Sequence, residues 1–473
     1  MKKQNKFYIT TPIYYVNDKP HIGHAYTTVA ADVLVRWHRL LGEEVFFLTG
    51  TDEHGAKIEA AAQKNGQDAQ KFVDEKTQTF KNAWQELNIK YSNFLRTTDN
   101  NHVRAVQNAL QVFFDKGLIY KGNYKGLYCV SCEQYKLEDD LVDGKCPEHN
   151  IEPILMKEEC YFFKLSQFEK ILIEKISSDE LTIEPEERKN EVLSFLRRGL
   201  KDISISRKNV KWGIVLPFDE SQTVYVWVDA FLNYLTGLGW DGSTGKTPDF
   251  FPPDIQLMSK DILRVHATIW MALLLALEIP LPKKIFVHGF FTVNGQKMSK
   301  SLGNVIWPED LVEKFGADGA RYLLMSSLSY GQDGDITMER FVGKYNADLA
   351  NGLGNLISRV FNLIEMNFEG KLKADSGVNL DIGDLMKDLK FFEALQRIKE
   401  KIDWGNKYID ETELWELVKT DKNKAKKVLG ELLAVIVKVG ESLAPFMPET
   451  SQKILQSGRA KKITKGEALF PRL

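Results

Sequence analysis

Cysteine is scarce, with 4 residues in 473, and three of them cluster, a spacing that in a reducing compartment favours a metal over disulfides. Long apolar runs are missing as well. The longest, Ile269 to Leu277, has nine residues, far below the ~20 a bilayer-spanning helix needs, which excludes a helical membrane protein. Neither sign of charge dominates: 63 Lys+Arg against 65 Asp+Glu leave a net charge of −2. That balance excludes a wholesale basic coat for nucleic acid and leaves room for a local basic groove. No internal repeat is present. The start, Met1-Lys2-Lys3 followed by Phe7 to Val16, faintly mimics a secretory leader. Pro12, the threonines and Asn17-Asp18 interrupt it and no small-residue cleavage site follows, which points to a cytoplasmic protein.

What is there is an ordinary globular composition, 43% hydrophobic and 27% charged, long enough for about two to four domains. Phe7 to Tyr15 reads as a buried strand. The helix after His24 places Val29, Val33, Trp37, Leu40 and Leu41 on one stripe, with Gly42 as its C-terminal cap. A second strand, Val45 to Leu48, runs into Thr49-Gly50-Thr51-Asp52-Glu53-His54-Gly55 and another helix. Strand, helix, strand at this spacing predicts a parallel α/β sheet, with ligand-binding loops at the carboxyl ends of its strands. Regularity fades between about Phe114 and Thr223, where a turn-rich segment and a helix around Glu187 to Leu200 interrupt the pattern. The α/β signal returns at Val224 to Val228 and at Ile285 to His288, so the interruption reads as an insertion. After about Tyr330 the chain turns helical. Leu353, Leu356, Ile357, Val360 and Ile364 share one stripe, and an apolar helix runs from Leu429 to Leu443 before Pro445. The charged stretch Lys419 to Lys427 reads as a solvated turn between helices.

Three cysteines cluster with a histidine. Cys129, Cys132, Cys146 and His149 have the ligand number and spacing of one tetrahedral structural zinc, the alternative being unmetallated surface thiols. Cys160 stands apart as a buried or half-buried thiol. Two short strings carry more information: His21-Ile22-Gly23-His24, between a strand and a helix, and Lys297-Met298-Ser299-Lys300-Ser301, on a loop beside the Asn294-Gly295 turn. At this chain's own His and Gly usage a chance His-x-Gly-His is expected about 0.01 times. His21 and His24, at a strand end and a helix N-terminus, are placed to donate to phosphate, aided by the helix dipole. Gly23 admits close backbone approach.

In this order and context the two strings resemble the paired signatures of class I aminoacyl-tRNA synthetases. The resemblance sharpens to the methionyl-tRNA synthetase family and covers essentially the whole chain, through Thr10-Thr11-Pro12-Ile13-Tyr14-Tyr15, the Thr49 to Gly55 string, Val226-Trp227-Val228-Asp229-Ala230 with Tyr234, and Lys260-Asp261-Ile262 with His266. It implies an α/β fold: a Rossmann-type parallel-sheet catalytic domain (residues 1–115 and 224–290), an inserted zinc-knuckle connective domain (116–223), a Lys-Met-Ser-Lys-Ser loop and stem-contact region (291–350), and an all-α anticodon-binding bundle (351–473). It further implies ATP-dependent activation of L-methionine to the adenylate and transfer to methionine tRNA, the initiator included. Carried over by position, His21, His24, Lys297 and Lys300 are catalytic, with Gly23 and Ser299 as further ATP contacts. Ile13, Tyr15, Trp227, Ala230, Tyr234, Asp261, Val265 and His266 surround methionine, and Asp52 holds its ammonium. A thioether gains about 0.3–1.5 kcal/mol beside aromatic rings. Mg²⁺ accompanies ATP, and the zinc site matches the single-knuckle branch. Asn355 and Arg359, four apart on the polar face, match the Asn-x-x-x-Arg that reads the anticodon, and Trp415 its stacking tryptophan. Leu414 departs from the proline most relatives carry there. No oligonucleotide-binding extension follows Leu473, which suggests a monomer.

Other readings fit less of the chain. Trp227, Tyr234 and His266 could simply pack a core, and Asn355, Arg359 and Trp415 could sit on a solvated helix face. A small nucleotidylyltransferase shares the His-x-Gly-His string but not the lysine loop or the helical tail. The cysteinyl enzyme needs zinc ligands in its substrate pocket, and the valyl, leucyl and isoleucyl enzymes need a larger editing insertion. A non-enzymatic RNA binder would have lost the His/Lys set.

Overall fold

The computed structural model describes residues 5–473 except 131–133, 137, 139, 140, 148, 149 and 299–302. Two compact units divide the chain. Residues 1–19, 43–82 and 91–287 form the first, and residues 20–42, 83–90 and 288–473 the second.

The first unit is built on a six-stranded sheet of β1 (Lys6–Tyr15), β2 (Glu44–Asp52), β3 (Asn93–Arg96), β4 (Thr182–Glu184), β5 (Ile255–Ser259) and β6 (Lys284–His288), in the order β3-β2-β1-β5-β6-β4. The resolved pairings of β1 with β2 and β5, of β2 with β3 and of β6 with β4 are parallel. β1 has Phe7, Tyr8 and Ile9 all buried, as expected of a strand covered on both faces. Pro12 cannot donate to a ladder, and the β1–β2 register shifts between Thr10 and Ile13. Beyond that bulge Ile13 pairs with Gly50 and Tyr15 with Asp52. A Cβ at Gly50 would lie 2.1 Å from the Leu95 carbonyl oxygen, so only glycine lets β3 approach there.

Helix α1 (Ile22–Leu40) follows β1 in sequence and belongs to the second unit. In the first unit, α2 (Asn100–Asp115), α3 (Val226–Phe231) and α4 (Asn233–Thr236) accompany the sheet. The interrupting stretch carries an antiparallel sheet ordered Gln134–Lys136, Ile119–Cys129, Ile154–Phe163, Ile203–Ser204. Its predicted helix is seen at Glu186–Leu196. The expected strand at 224–228 is corrected: the strand Asp219–Val224 ends there, in a small antiparallel sheet, and residues 226–231 are α3.

The second unit is mostly helical: α5 (Pro308–Ser326), α6 (Asn355–Phe368), α7 (Phe391–Glu411), α8 (Leu414–Thr420), α9 (Lys422–Leu443) and α10 (Pro448–Gly458). The predicted stripe of α6 is buried from Leu356 to Ile364. In α1, Val29 and Val33 are buried but Leu40 and Leu41 are exposed, beyond the part of the helix that packs. Gly42 takes φ +82°, the left-handed geometry expected after the helix. The stretch 419–427 is helical on both sides of Asp421, whose carboxylate caps α9 by accepting from the Asn423 and Lys424 amides.

A buried ion-pair hub ties this unit together. Asp32 of α1 accepts from Arg36 at 2.6 Å, from the Lys90 amide at 2.8 Å and from Arg321 of α5 at 2.8 Å. The Arg321 guanidinium also caps the carbonyls of Leu87, Pro445 and Phe446. Asp32 and Arg321 are both fully buried, so the Arg321 charge depends on Asp32, which Arg36 also helps to neutralise.

Candidate functional site

The His-x-Gly-His string starts α1 and caps it with its own imidazoles. His21 Nδ1 accepts from the Gly23 amide at 3.0 Å, and His24 Nδ1 accepts from the His21 amide at 3.2 Å. The two rings stack, 3.9 Å apart between centroids. An accepting Nδ1 carries no proton, so each neutral ring bears its proton on Nε2. Burial first and the neighbouring His21 second push His24 well below the usual histidine range, which keeps it a neutral donor at physiological pH. Glycine at 23 has a second reason beyond ligand approach: a Cβ there would lie 2.7 Å from His21 Cε1, breaking the cap.

At Met298 the second string lies beside the first within the same unit. Asn294 and Gly295 have φ +53° and +71°, both positive as in a type I′ hairpin turn between Phe291–Val293 and Gln296–Lys297. Asp335 accepts from the Gly295 amide at 2.6 Å and fixes the turn. Met298 Cε comes within 4.0 Å of where a Gly23 side chain would begin, and the Ile22 amide donates to the Ile306 carbonyl at 3.1 Å. Ser299 and Lys300 lie outside the described residues. Thr27 and His288 were not singled out from sequence. His288 Nδ1 donates to the Gly289 carbonyl, so its Nε2 accepts from the Thr27 hydroxyl at 2.6 Å.

In the first unit the candidate methionine residues gather at the carboxyl ends of β1, β2 and β5 and on α3 and α4, where open α/β sheets bind ligands. Tyr15 and Asp52 are register partners, and Ile13 lies one pair earlier against Gly50. Trp227 and Ala230 are on α3, and Tyr234 on α4. His266 Nδ1 donates to the Ile262 carbonyl at 2.8 Å, so Nε2 accepts from the Tyr234 hydroxyl at 2.8 Å. Burial pushes His266 down to about 4, so this ring is neutral. Val265 is half-buried beside it, while Asp261 is exposed and bonded to Ser259.

Sequence reasoning missed the network behind these residues. Asp229, buried on α3, accepts from His54 Nδ1 at 2.7 Å and from His102 Nε2 at 2.8 Å. Burial alone would raise its pKa, but the two histidines outweigh burial and hold it below the usual carboxylate value. The Glu53 carboxylate, also buried, accepts from Thr51, Thr77, Arg96 and Thr98. The dense polar string Thr49 to Gly55 was the available signal, but its partners lie far away in the chain.

Of the zinc residues, Cys129 ends a strand and Cys146 sits in a tight turn whose Asn150 amide donates to its carbonyl at 2.7 Å. Both thiols are buried. Cys132 and His149 lie outside the described residues. Among the described residues no three potential ligands come together. Cys160 is buried and accepts from the Ser204 hydroxyl at 3.1 Å.

On α6, Asn355 donates to Asn406 at 2.9 Å and Arg359 to Asp410 at 2.6 Å, both on α7. The Arg359 guanidinium lies 6.0 Å from the Trp415 ring centre, and that ring is 43% exposed. The structure thus brings Trp415 to Arg359, 56 positions away in the chain, with Asn355 one turn earlier on α6. Leu414, where a proline was expected, is buried and starts α8.

A family model described as "tRNA synthetases class I (M)" matches residues 7–154 and 149–361, and one described as "Anticodon binding domain of methionyl tRNA ligase" matches residues 369–468. A methionine–tRNA ligase of Clostridium acetobutylicum is 44% identical over all of this chain and 79% of its own length. That of Streptomyces coelicolor is 41% identical over 99% of this chain and 96% of its own length. A Mycobacterium tuberculosis methionyl-tRNA synthetase solved with methionyl-adenylate superposes with a TM-score of 0.91 at 35% identity, covering 96% of this chain and 94% of that one. With matches running almost from end to end, the chain belongs to the methionyl-tRNA synthetase family of class I aminoacyl-tRNA synthetases.

Proposed function

We propose that the residues named above divide between holding the amino acid, handling ATP and reading the anticodon. The chain activates L-methionine with ATP and charges tRNA with it. A methionine carboxylate oxygen attacks the α-phosphorus, the bond to the β,γ-unit breaks, and pyrophosphate leaves. A hydroxyl of the tRNA 3′-terminal adenosine then attacks the acyl carbon and AMP leaves. Charge collects on phosphate oxygens, which calls for fixed donors and no covalent nucleophile.

In this reading His21 and His24 donate to the phosphates through Nε2–H, and Gly23 keeps the backbone close to adenine and ribose. Lys297 and Lys300 follow charge onto the departing pyrophosphate, with Ser299 as a further contact. Mg²⁺, where bound with ATP, would supply charge neutralisation on the pyrophosphate. Asp52 holds the methionine ammonium; Ile13, Tyr15, Trp227, Ala230, Tyr234, Asp261, Val265 and His266 surround the rest. Cys129, Cys132, Cys146 and His149 would hold one structural zinc within the 116–223 insertion, a closed thiolate-rich set that suits two buried thiols and leaves no open position for catalysis. Asn355, Arg359 and Trp415 read the anticodon of methionine tRNAs, the initiator among them, and the enzyme works as a cytoplasmic monomer.

The observation that most supports this assignment is the histidine cap, which commits both Nδ1 atoms and leaves both protons on Nε2. Lys300→Ala tests it. Adenylate formation should fall by orders of magnitude with methionine binding nearly unchanged, because the contact strengthens only as pyrophosphate leaves. A loss confined to methionine affinity would show the lysine role to be wrong.

A further inference from the structure

The methionine pocket is assembled from two pieces of the first unit that are far apart in sequence. One is the end of β2, which carries Asp52, together with the loop that follows it. The other is the α3–α4 segment, which carries Trp227, Ala230 and Tyr234. We infer that Asp229 is the positioning residue that fixes the distance between them, and so sets the side-chain length the pocket accepts. The inference rests on the pocket proposed above.

The Asp229 carboxylate is 1% exposed, and both oxygens are used. Oδ2 accepts from Nδ1 of His54, two residues past Asp52, and Oδ1 accepts from Nε2 of His102 on α2. His102 Nδ1 in turn accepts from the Thr236 hydroxyl at 2.7 Å, at the end of α4. One carboxylate therefore binds the ammonium-side loop to the side-chain wall, and its second oxygen reaches the far end of that wall through His102. The loop has no slack elsewhere. Glu53 is locked by Arg96 at 2.7 and 2.9 Å, the Trp212 indole N–H donates to the Glu53 carbonyl, and the Gly55 amide donates to the Trp212 carbonyl at 3.0 Å. Asp52 is thus held on its C-terminal side by these bonds and, through His54, by Asp229. Asp229 sits two residues from Trp227 and one from Ala230.

A pocket built from apolar contacts alone separates substrates one methylene apart by only ~10–200-fold, and a loose wall forfeits that margin first. Pyrophosphate exchange with methionine, ethionine and norleucine tests the inference on Asp229→Ala, Asp229→Asn and His54→Ala. Asp229→Ala should raise the methionine KM about tenfold while the ATP KM moves less than about twofold, and should cut the preference for methionine over ethionine about threefold or more. Asp229→Asn should recover most of both, since the amide keeps one acceptor and a shifted imidazole tautomer accepts from its N–H. If the alanine variant does not fold, His54→Ala carries the test, because it cuts the same tie and leaves the His102 bond. A methionine KM and ethionine preference within about twofold of wild type in the folded variants would overturn the inference, whatever happens to thermal stability. Asp52→Ala and Trp227→Ala distinguish the two failures: if they also leave the methionine KM unchanged, the pocket itself is misassigned.

Discussion

Arg359→Ala should separate RNA reading from amino-acid activation. The guanidinium donates to Asp410 at 2.6 Å, with side chains 29% and 61% exposed. A pair this open contributes ~0–1 kcal/mol to stability, and Asp410 left alone is simply hydrated. Urea unfolding should therefore barely change. The cost falls on recognition, where a planar charged donor on a base edge contributes about 1–3 kcal/mol, roughly 5- to 150-fold in kcat/KM. The assay pairs tRNA-free pyrophosphate exchange with charging of methionine tRNA bearing CAU or altered anticodons. Exchange should stay within about twofold of wild type, while charging falls about tenfold or more and the gap between anticodons narrows. Normal charging would refute the role of Arg359, and an equal fall in both half-reactions would mean that the fold was damaged.

Arg321→Met should lower unfolding stability by about 3–5 kcal/mol, because it removes one of the two charged partners of the buried Asp32 carboxylate and leaves three carbonyls without their donor; a loss below about 1 kcal/mol in urea would contradict the hub. Metal analysis should find one zinc per chain, lost in Cys146→Ser while adenylate formation persists at a reduced level; a zinc-free wild type retires that site. Burial lowers the native His266 pKa to about 4, against 6.5 for an unperturbed histidine, so only the unfolded chain takes up its proton between those values. Its stabilising contribution is therefore complete above pH ~6.5 and lost as pH falls toward ~4, at up to about 1.4 kcal/mol per unit. His266→Gln should flatten that slope, and an unchanged slope would rule out the assignment.

The sequence made local features legible where one residue type is physically required. Asn294-Gly295 announced a turn with two positive φ angles, and Gly42 a left-handed helix end. Pro12, read only as an interruption of a leader-like run, stands where the β1–β2 register slips. Val224 to Val228 misled because a short buried apolar run reads alike as strand or helix until its partners are known. Lys419 to Lys427 was misread because lysine is a good helix former, so the charged run continues two helices and only Asp421 breaks them. The candidate site was legible as a set of strings, but its internal wiring was not. Asp229 meets His54 across 175 positions and His102 across 127, and Arg321 meets the Pro445 carbonyl across 124. Such pairings leave no periodic trace, since each partner looks like an isolated polar residue until the chain folds.

The central claim is that this chain activates methionine and no other amino acid, and pyrophosphate exchange with each of the twenty amino acids in turn tests it most directly. Exchange should depend on ATP and on methionine, with every other amino acid lower in kcat/KM by about tenfold or more. A second amino acid exchanging as well as methionine, or methionine supporting none in folded protein, would contradict the account.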